Sequence, residues 1–307
     1  MATILITGGT GMIGKALTRE LIHHNHLVMV LTRRPRPAEK GIVYKEWDVE
    51  RGMIDEAAIS EADFIVHLAG ANVADGRWTD KRKKEIVDSR VKSGDLLVTS
   101  LKNIPNKVRA VISASAIGWY GPDPQVPNPN PFTETDPPDG AFLGKTSQQW
   151  EGAVWPIADI GKRLVIFRIG IVLSNEGGAY AEFKKPLKFG VASILGNGRQ
   201  MVSWIHIDDL VQLLITAMQQ EGLQGIYNAV APAPVSNKEL ILAMAKQRAG
   251  FYISMPVPSF ALKIALGEMS VEVLKSATVS SKKVESTGYR FRYPQIEDAV
   301  RDLEQKK

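Results

Sequence analysis

The chain has 307 residues, 44% of them hydrophobic and 23% charged, with 38 lysines and arginines against 33 aspartates and glutamates. It has no cysteine, which excludes disulfides and cysteine metal sites, and no apolar run reaches the ~20 residues that a membrane-spanning helix needs. The net charge of +5 favours an anionic partner, but the basic clusters are separate and lack interleaved aromatics, so nucleic acid is not expected. The N-terminal residues carry no basic leader, so a signal peptide is not expected and a cytoplasmic location is expected by default. No membrane partner is expected.

Apolar, β-branched runs alternate with segments of helical periodicity through the first 170 residues. Strands are predicted at 3–7, 27–31, 42–47, 64–68, 108–112 and 164–169, and helices at 12–24, 78–102 and 142–160. Strands and helices that alternate at this spacing are joined by right-handed crossovers. The predicted fold class is therefore α/β, with a doubly wound parallel Rossmann sheet.

The alternation ends at Gly170, after which glycine turns and prolines become frequent. Helices are predicted again at 207–218 and 237–249, with a strand at 225–230 between them. The seven prolines of residues 122–138 indicate a loop, which we expect to border the site.

This change of pattern predicts two domains. The first is a Rossmann domain of residues 1–170, to which residues 200–230 return. The second is a smaller, discontinuous α+β lobe of residues 171–199 and 231–307.

A glycine-rich turn follows the first strand and opens the first helix. Gly8, Gly11 and Gly14 have the spacing of a dinucleotide-binding fingerprint. Glycines let the chain turn sharply and let a pyrophosphate approach the backbone, while the helix N-terminus supplies amide donors and a positive dipole end. We therefore expect these glycines, with Met12 and Ile13, to bind a dinucleotide.

The end of the second strand indicates which dinucleotide is bound. NAD enzymes usually carry an acid there for the ribose hydroxyls, whereas this chain has Thr32, Arg33 and Arg34. An acid would repel a 2′-phosphate, but Arg33 can pair with it, helped by the Thr32 hydroxyl. NADP is therefore favoured over NAD, and Arg36 is interpreted as surface charge.

Nine motifs stand in order along nearly the whole chain: Thr7–Gly14, His67–Gly70, Arg77–Trp78, Ser89–Arg90, Ser113–Ala116, Trp150–Glu151, Arg168–Val172, Gly196–Arg199 and Trp204–Asp209. With these motifs the sequence resembles the extended short-chain dehydrogenase/reductase superfamily, of the NAD-dependent epimerase/dehydratase type. It is most similar to an atypical branch labelled epimerase family protein, which has a C-terminal extension.

The resemblance implies further cofactor contacts, from Asp48, Leu68, Ala69, Gly70, Glu85, Arg90 and Val172. Asp48 would accept a hydrogen bond from adenine, and the residues after His67 would line the riboses. Arg199 resembles the place where related enzymes bind a nucleotide diphosphate, although it can also be an ordinary loop cation. His67 and His206 are interpreted as structural and no metal is expected, while Asp208 and Asp209 are expected to cap the helix that follows.

The catalytic pattern of the superfamily is incomplete. Its serine polarises the substrate oxygen and its Tyr-x-x-x-Lys pair exchanges the proton. Ser115 fits the serine role, but Leu143 and Ser147 stand where the tyrosine and lysine belong. Tyr120 and Lys145 are the remaining candidates for proton transfer, and either can equally be structural. The literal Tyr180–Lys184 match follows the sixth strand, and we interpret it as coincidence.

Two functions remain open from the sequence. The first is an NADP-dependent oxidoreductase or epimerase that acts by hydride transfer on a small polar or nucleotide-linked carbonyl or alcohol. The second is a non-catalytic NADP(H)-binding sensor that has lost the proton-transfer pair. By analogy, a homodimer through the helices at 78–102 and 142–160 is also expected.

Overall fold

A largely parallel sheet with helices on both faces forms the centre of the protein. The computed structural model describes residues 1–34, 36–248 and 250–306. Its strands are β1 (Thr3–Thr7), β2 (Leu27–Thr32), β3 (Ile42–Asp48), β4 (Met53–Ile54), β5 (Phe64–His67), β6 (Ala110–Ala116), β7 (Arg163–Ile169), β8 (Ile171–Leu173), β9 (Val191–Leu195), β10 (Met201–Val202), β11 (Trp204–His206), β12 (Gly225–Ala229), β13 (Val235–Ser236) and β14 (Ile253–Val257). Its helices are α1 (Met12–His23), α2 (Glu56–Glu61), α3 (Asp80–Asn103), α4 (Phe142–Val154), α5 (Pro156–Asp159), α6 (Gly178–Leu187), α7 (Ile207–Gln219), α8 (Asn237–Gln247), α9 (Ser259–Leu266), α10 (Ser270–Leu274), α11 (Lys282–Ser286) and α12 (Ile296–Gln305).

The eight strands of the central sheet lie in the order β12–β7–β6–β5–β1–β2–β3–β4. All neighbours pair in parallel except β3 and the short β4. The chain runs outward from β1 in both directions, so a crevice opens at the carboxyl ends of the strands around β1. The predicted doubly wound Rossmann sheet is confirmed.

Successive side chains along each strand point to opposite faces of this sheet, and apolar side chains form a hydrophobic core on each face. Ile4 and Ile6 of β1 pack with Leu17 of α1 in one core, which also contains α7. Leu5, between them, packs with Leu97 of α3 in the other core. Two covered faces explain why the parallel strands read as nearly continuous apolar runs.

Three local predictions need correction. The helix predicted over 142–160 is interrupted at Trp155, because Pro156 has no N–H to continue the ladder and starts α5 instead. The strand predicted over 108–112 is observed as β6, from Ala110 to Ala116, and so contains Ser115. The strands β4, β8, β10, β11 and β13 were not predicted, because two or three residues are too few for a period to show. The five-residue strands β9 and β14 were not predicted either.

A third core lies beyond the central sheet. It combines Leu173 and Trp204 with Leu240 of α8 and Val300 of α12.

The proline-rich loop of residues 122–138 is fastened to a C-terminal segment by Asp123. The Asp123 carboxylate accepts hydrogen bonds from the Thr278 amide (2.9 Å) and hydroxyl (2.8 Å) and from the Ser276 hydroxyl (2.7 Å).

Within the described residues, no helix combines the length and the apolar character needed to cross a membrane.

Candidate functional site

The glycine turn between β1 and α1 is packed directly against the end of β5. Gly8 has a φ of +69°, and a Cβ added there would lie 2.7 Å from the Leu68 carbonyl oxygen. A Cβ at Gly14 would lie 2.5 Å from the Gly8 oxygen. The backbone therefore requires glycine at both positions, for conformation at the first and for close packing at both.

The start of α1 offers unpaired donors to the crevice. Gly11 occupies the N-cap position without a side-chain cap, and the first turn contains no acidic residue. The first amides of a helix, here those of Met12, Ile13 and Gly14, have no partner within the helix and carry the positive end of its dipole. This terminus is suited to a phosphate group.

A cleft of about 1290 Å³ opens beside this turn, between the ends of β1, β2, β3 and β5 and the start of α3. The predicted cofactor residues that line it are Gly8, Gly11, Thr32, Arg33, Asp48, Leu68, Ala69, Gly70 and Glu85. Met12, Ile13 and Gly14 stand at its helix terminus, Arg90 lies behind Gly70, and Val172 lies on β8. The structure thus gathers residues that are far apart in the sequence around one cleft.

Arginines form one rim of the cleft. Arg33 and Arg34 line it with Arg36, which also lies over the Tyr44 ring at 5.7 Å. The Thr32 hydroxyl accepts a hydrogen bond from the Arg34 amide (3.3 Å) and donates one to the Arg34 carbonyl (3.1 Å). Thr32 therefore braces the turn that presents the arginines.

Asp48 also lines this cleft, at the end of β3. Its Oδ1 accepts hydrogen bonds from the amides of Glu50 (3.0 Å) and Arg51 (3.1 Å). These bonds fix the turn after β3, and the predicted hydrogen bond from adenine to Asp48 stays a prediction.

The Thr7 hydroxyl ties the ends of β1 and β5 together. Its oxygen accepts hydrogen bonds from the amides of Leu68 and Ala69, both at 3.1 Å, and lies 2.8 Å from Nδ1 of His67. Since the two amides already use this oxygen as an acceptor, its one proton is directed to Nδ1 of His67. The neutral His67 ring then carries its own proton on Nε2. Burial away from water, helped by the Arg90 charge, lowers the pKa of His67 to about 4. His67 is thus a structural residue, as expected from the sequence.

Arg90 supports the floor of the cleft from behind. Its guanidinium donates to the carbonyls of Ala71 (3.0 Å) and Ile86 (2.9 Å) and stacks over the Trp150 ring at 4.8 Å. A Cβ at position 70 would lie 3.0 Å from Cζ of Arg90. The lack of a side chain at Gly70 therefore leaves room for the Arg90 guanidinium above Trp150. Glu85, by contrast, is exposed and pairs with Arg82 at 2.7 Å.

Ser115 belongs to a buried polar network. Its hydroxyl donates to Oε1 of Glu151 at 2.7 Å, and Arg168 donates to both oxygens of that carboxylate, at 2.8 and 3.0 Å. The three side chains are almost completely buried. The Arg168 guanidinium also lies 3.6 Å from the centre of the Trp119 ring. The single proton of Ser115 is therefore directed to Glu151.

Tyr120 lies in the same network and is fully buried. Its hydroxyl donates to Oδ1 of Asn228 at 2.7 Å and accepts a hydrogen bond from Arg168 at 3.1 Å. Burial raises its pKa to about 12, against the opposing effect of the Arg168 charge. The position favours a structural phenol over a proton-transferring one.

Lys145 is not brought to this network. It is exposed on α4, whereas Leu143, in the place of the missing tyrosine, packs against Gly118. Arg199 is also exposed, on a turn held by a hydrogen bond from its amide to Asn197 (2.9 Å). The structure thus brings Ser115 and Tyr120 together, but it does not bring Lys145 or Arg199 to them.

The sequence interpretation missed the roles of Glu151, Arg168 and Asn228, although the first two stood in recognised motifs. One signal was available for Arg168, because a charge inside the buried run of β7 must find a partner. No comparable signal marked Asn228.

The second histidine corrects the predicted helix cap. His206, not Asp208 or Asp209, caps α7, since its Nδ1 accepts the Asp208 amide at 3.1 Å. Burial lowers the pKa of His206 to about 4, although the neighbouring carboxylates oppose the shift. His206, Asp208 and Asp302 form a small cluster. Nζ of Lys306 lies 2.7 Å from Asp208 and 2.8 Å from Asp302, so this lysine is the cation that pairs with the two carboxylates.

Asp209 fastens the C-terminal segment instead. Its carboxylate accepts hydrogen bonds from the amides of Arg292 (2.7 Å) and Tyr293 (3.0 Å). Burial raises its pKa, against the effect of these two bonds.

Comparison with known proteins identifies two sequence families along the chain. The NAD dependent epimerase/dehydratase family matches residues 4–148, and a domain of unknown function, DUF1731, matches residues 257–303. An epimerase family protein of Staphylococcus saprophyticus is 36% identical over 99% of both chains. The epimerase family protein YfhF of Bacillus subtilis is 35% identical over 98% of this chain and 97% of its own.

Solved structures give the same picture. The human epimerase family protein SDR39U1, solved with NADPH, has a TM-score of 0.89 and 27% identity over 99% of this chain and all of its own. A nucleoside-diphosphate sugar epimerase from Corynebacterium glutamicum has a TM-score of 0.78 and 30% identity, over 99% of this chain and 58% of its own.

Proposed function

Because the chain belongs to the NAD dependent epimerase/dehydratase family, we propose that it is an NADP-dependent oxidoreductase or epimerase-like enzyme. Its substrate would be a small polar or nucleotide-linked carbonyl or alcohol. The observation that carries the proposal is the cleft that is lined both by the uncapped start of α1 at Gly11 and by Arg33, Arg34 and Arg36. The NADPH in the structure of human SDR39U1 supports it.

The residues around the cleft fit an NADP molecule. The amides of Met12 and Ile13 would hold the pyrophosphate, which also accounts for the absence of a side-chain cap on α1. Arg33, with Arg34 beside it, would pair with the 2′-phosphate, since residues 32–34 include no carboxylate to repel it. When bound, NADP supplies the nicotinamide carbon that gives or takes a hydride.

The buried network determines what the protein can offer to a substrate. Since the Ser115 proton is donated to Glu151, the Ser115 oxygen would accept a hydrogen bond from a substrate hydroxyl that reached this buried position. It would thereby orient the alcohol carbon toward the nicotinamide. Tyr120 would keep the network in place rather than exchange the proton, because its hydroxyl is bonded to Asn228.

A second candidate function is NADP(H) binding without turnover. The specific observation in its favour is Leu143, an apolar side chain in the place of the proton-transferring tyrosine. Turnover on a panel of carbonyls and nucleotide sugars separates the two functions. An enzyme would lose turnover but keep NADPH binding in Ser115→Ala, whereas a binding protein would show no turnover in either form.

The first test is a titration of the protein with NADPH and NADH. We expect tight NADPH binding that weakens about 10–100-fold in Arg33→Ala, because a charge-assisted hydrogen bond contributes about 1.5–3 kcal/mol. NADH binding should stay unchanged in this variant. Arg301→Ala, an exposed arginine on α12 that pairs with Asp298, serves as the matched control. Failure of both nucleotides to bind would contradict both candidate functions.

A further inference from the structure

Two phenylalanines project from neighbouring loops of the second lobe. Phe189, after α6, and Phe251, before β14, are each 86% exposed. Ile253 and Met255, which follow on β14, are 56% and 51% exposed. Monomeric proteins rarely expose such a concentration of large apolar side chains without a partner.

These side chains belong to one surface because the two loops are fastened together. The Ile253 amide donates to the Gly190 carbonyl at 2.8 Å. Arg248 donates to the Lys188 carbonyl at 2.7 Å. Tyr252 packs against the third core, while Phe251 is exposed. We call the four exposed residues, Phe189, Phe251, Ile253 and Met255, the apolar tip.

The surroundings of the apolar tip are cationic. Lys185 and Lys188 precede Phe189, and Lys246 and Arg248 precede Phe251; all four are exposed. Residues 183–190 and 240–257 contain no aspartate or glutamate. Of the four cations only Lys185 pairs with a carboxylate in the described part of the chain, that of Glu182. The charge of this surface is therefore largely uncompensated.

We propose that the apolar tip docks on a bilayer that contains anionic lipid. Two copies of this chain would bring like charges together, which disfavours self-association through this surface. Protein interfaces are depleted in lysine, whereas exposed aromatics flanked by lysine and arginine are typical of segments that lie in the headgroup region. The contact is peripheral, and it revises the expectation that the protein has no membrane partner.

The test is co-sedimentation of the full chain with vesicles. Vesicles of equal parts phosphatidylglycerol and phosphatidylcholine should bind the protein, pure phosphatidylcholine should not, and added salt should weaken the binding. Phe189→Ser/Phe251→Ser should reduce the binding at least about tenfold. Lys188→Gln/Lys246→Gln should also reduce it, by about fivefold or more.

The matched control is Phe260→Ser/Ile264→Ser, which changes another apolar pair on α9 that is 67% and 69% exposed. It should keep the binding, and unchanged melting temperatures would show that all variants fold. Absence of binding to the anionic vesicles would overturn the proposal, as would equal loss in the control. A wild-type dimer that light scattering shows to dissociate in Phe189→Ser/Phe251→Ser would overturn it in favour of a second copy.

Discussion

Replacing Arg168 by methionine should destabilise the protein severely. The guanidinium is 1% exposed and donates to both oxygens of the buried Glu151 carboxylate. Without it, that carboxylate keeps a hydrogen bond from Ser115, and Tyr120 loses a donor. Removal of one partner of a buried ion pair costs about 3–5 kcal/mol. For a chain of this size we expect the melting temperature to fall by about 6–20 °C.

The double variant Arg168→Met/Glu151→Leu is the control, because it removes both charges. It should be more stable than Arg168→Met alone, with a coupling energy of about 2 kcal/mol or more in a double-mutant cycle. Thermal and urea unfolding followed by circular dichroism measure both quantities. A cost below about 1 kcal/mol for Arg168→Met, or additive costs in the double variant, would refute the assigned ion pair.

Three further predictions concern other parts of the molecule. Gly14→Ala should abolish nucleotide binding, because its Cβ would lie 2.5 Å from turn backbone, whereas Gly152→Ala, where a Cβ meets nothing, should leave the titration unchanged. The pKa of His67 lies near 4, below its ordinary value of 6.5. The neutral ring therefore contributes to the free energy of unfolding above pH 6.5, and up to about 3 kcal/mol of that contribution is lost as the pH falls toward 4. A free energy of unfolding that stays flat between pH 7 and 4 would contradict this. Asp209→Ala should cost about 2–4 kcal/mol, since it leaves two amides without an acceptor, and hydrogen exchange should increase around Tyr293 but not in β1.

The cofactor half of the site could be predicted from the sequence because its signals are local. The glycine spacing, the arginines after β2 and the residues after β5 each stand next to an element whose periodicity is clear. The parallel sheet then brings the carboxyl ends of these strands to one edge, so that short motifs become neighbours without further information.

The catalytic half could not be predicted in the same way. Tyr120 bonds to Asn228, 108 residues away, and neither residue type nor spacing indicates that pair. The Ser115 hydroxyl donates its proton to Glu151, 36 residues further along the chain, and so cannot donate it to a substrate. Such partners are determined by the tertiary packing of α4 on β6 and β7, which no single-chain pattern encodes.

The carboxylates of Asp123 and Asp209 have a consequence for the order in which the chain can fold. Each accepts its hydrogen bonds from a segment made much later, 155 residues on at Thr278 and 83 residues on at Arg292. On a ribosome the central sheet, complete at Ala229, can assemble first. The core of Leu173, Trp204, Leu240 and Val300 must wait until the C-terminal segment has emerged, and until then two carboxylates lack the backbone amides that satisfy them. Pulse-labelled nascent chains should therefore gain protection in two steps, with the sheet first.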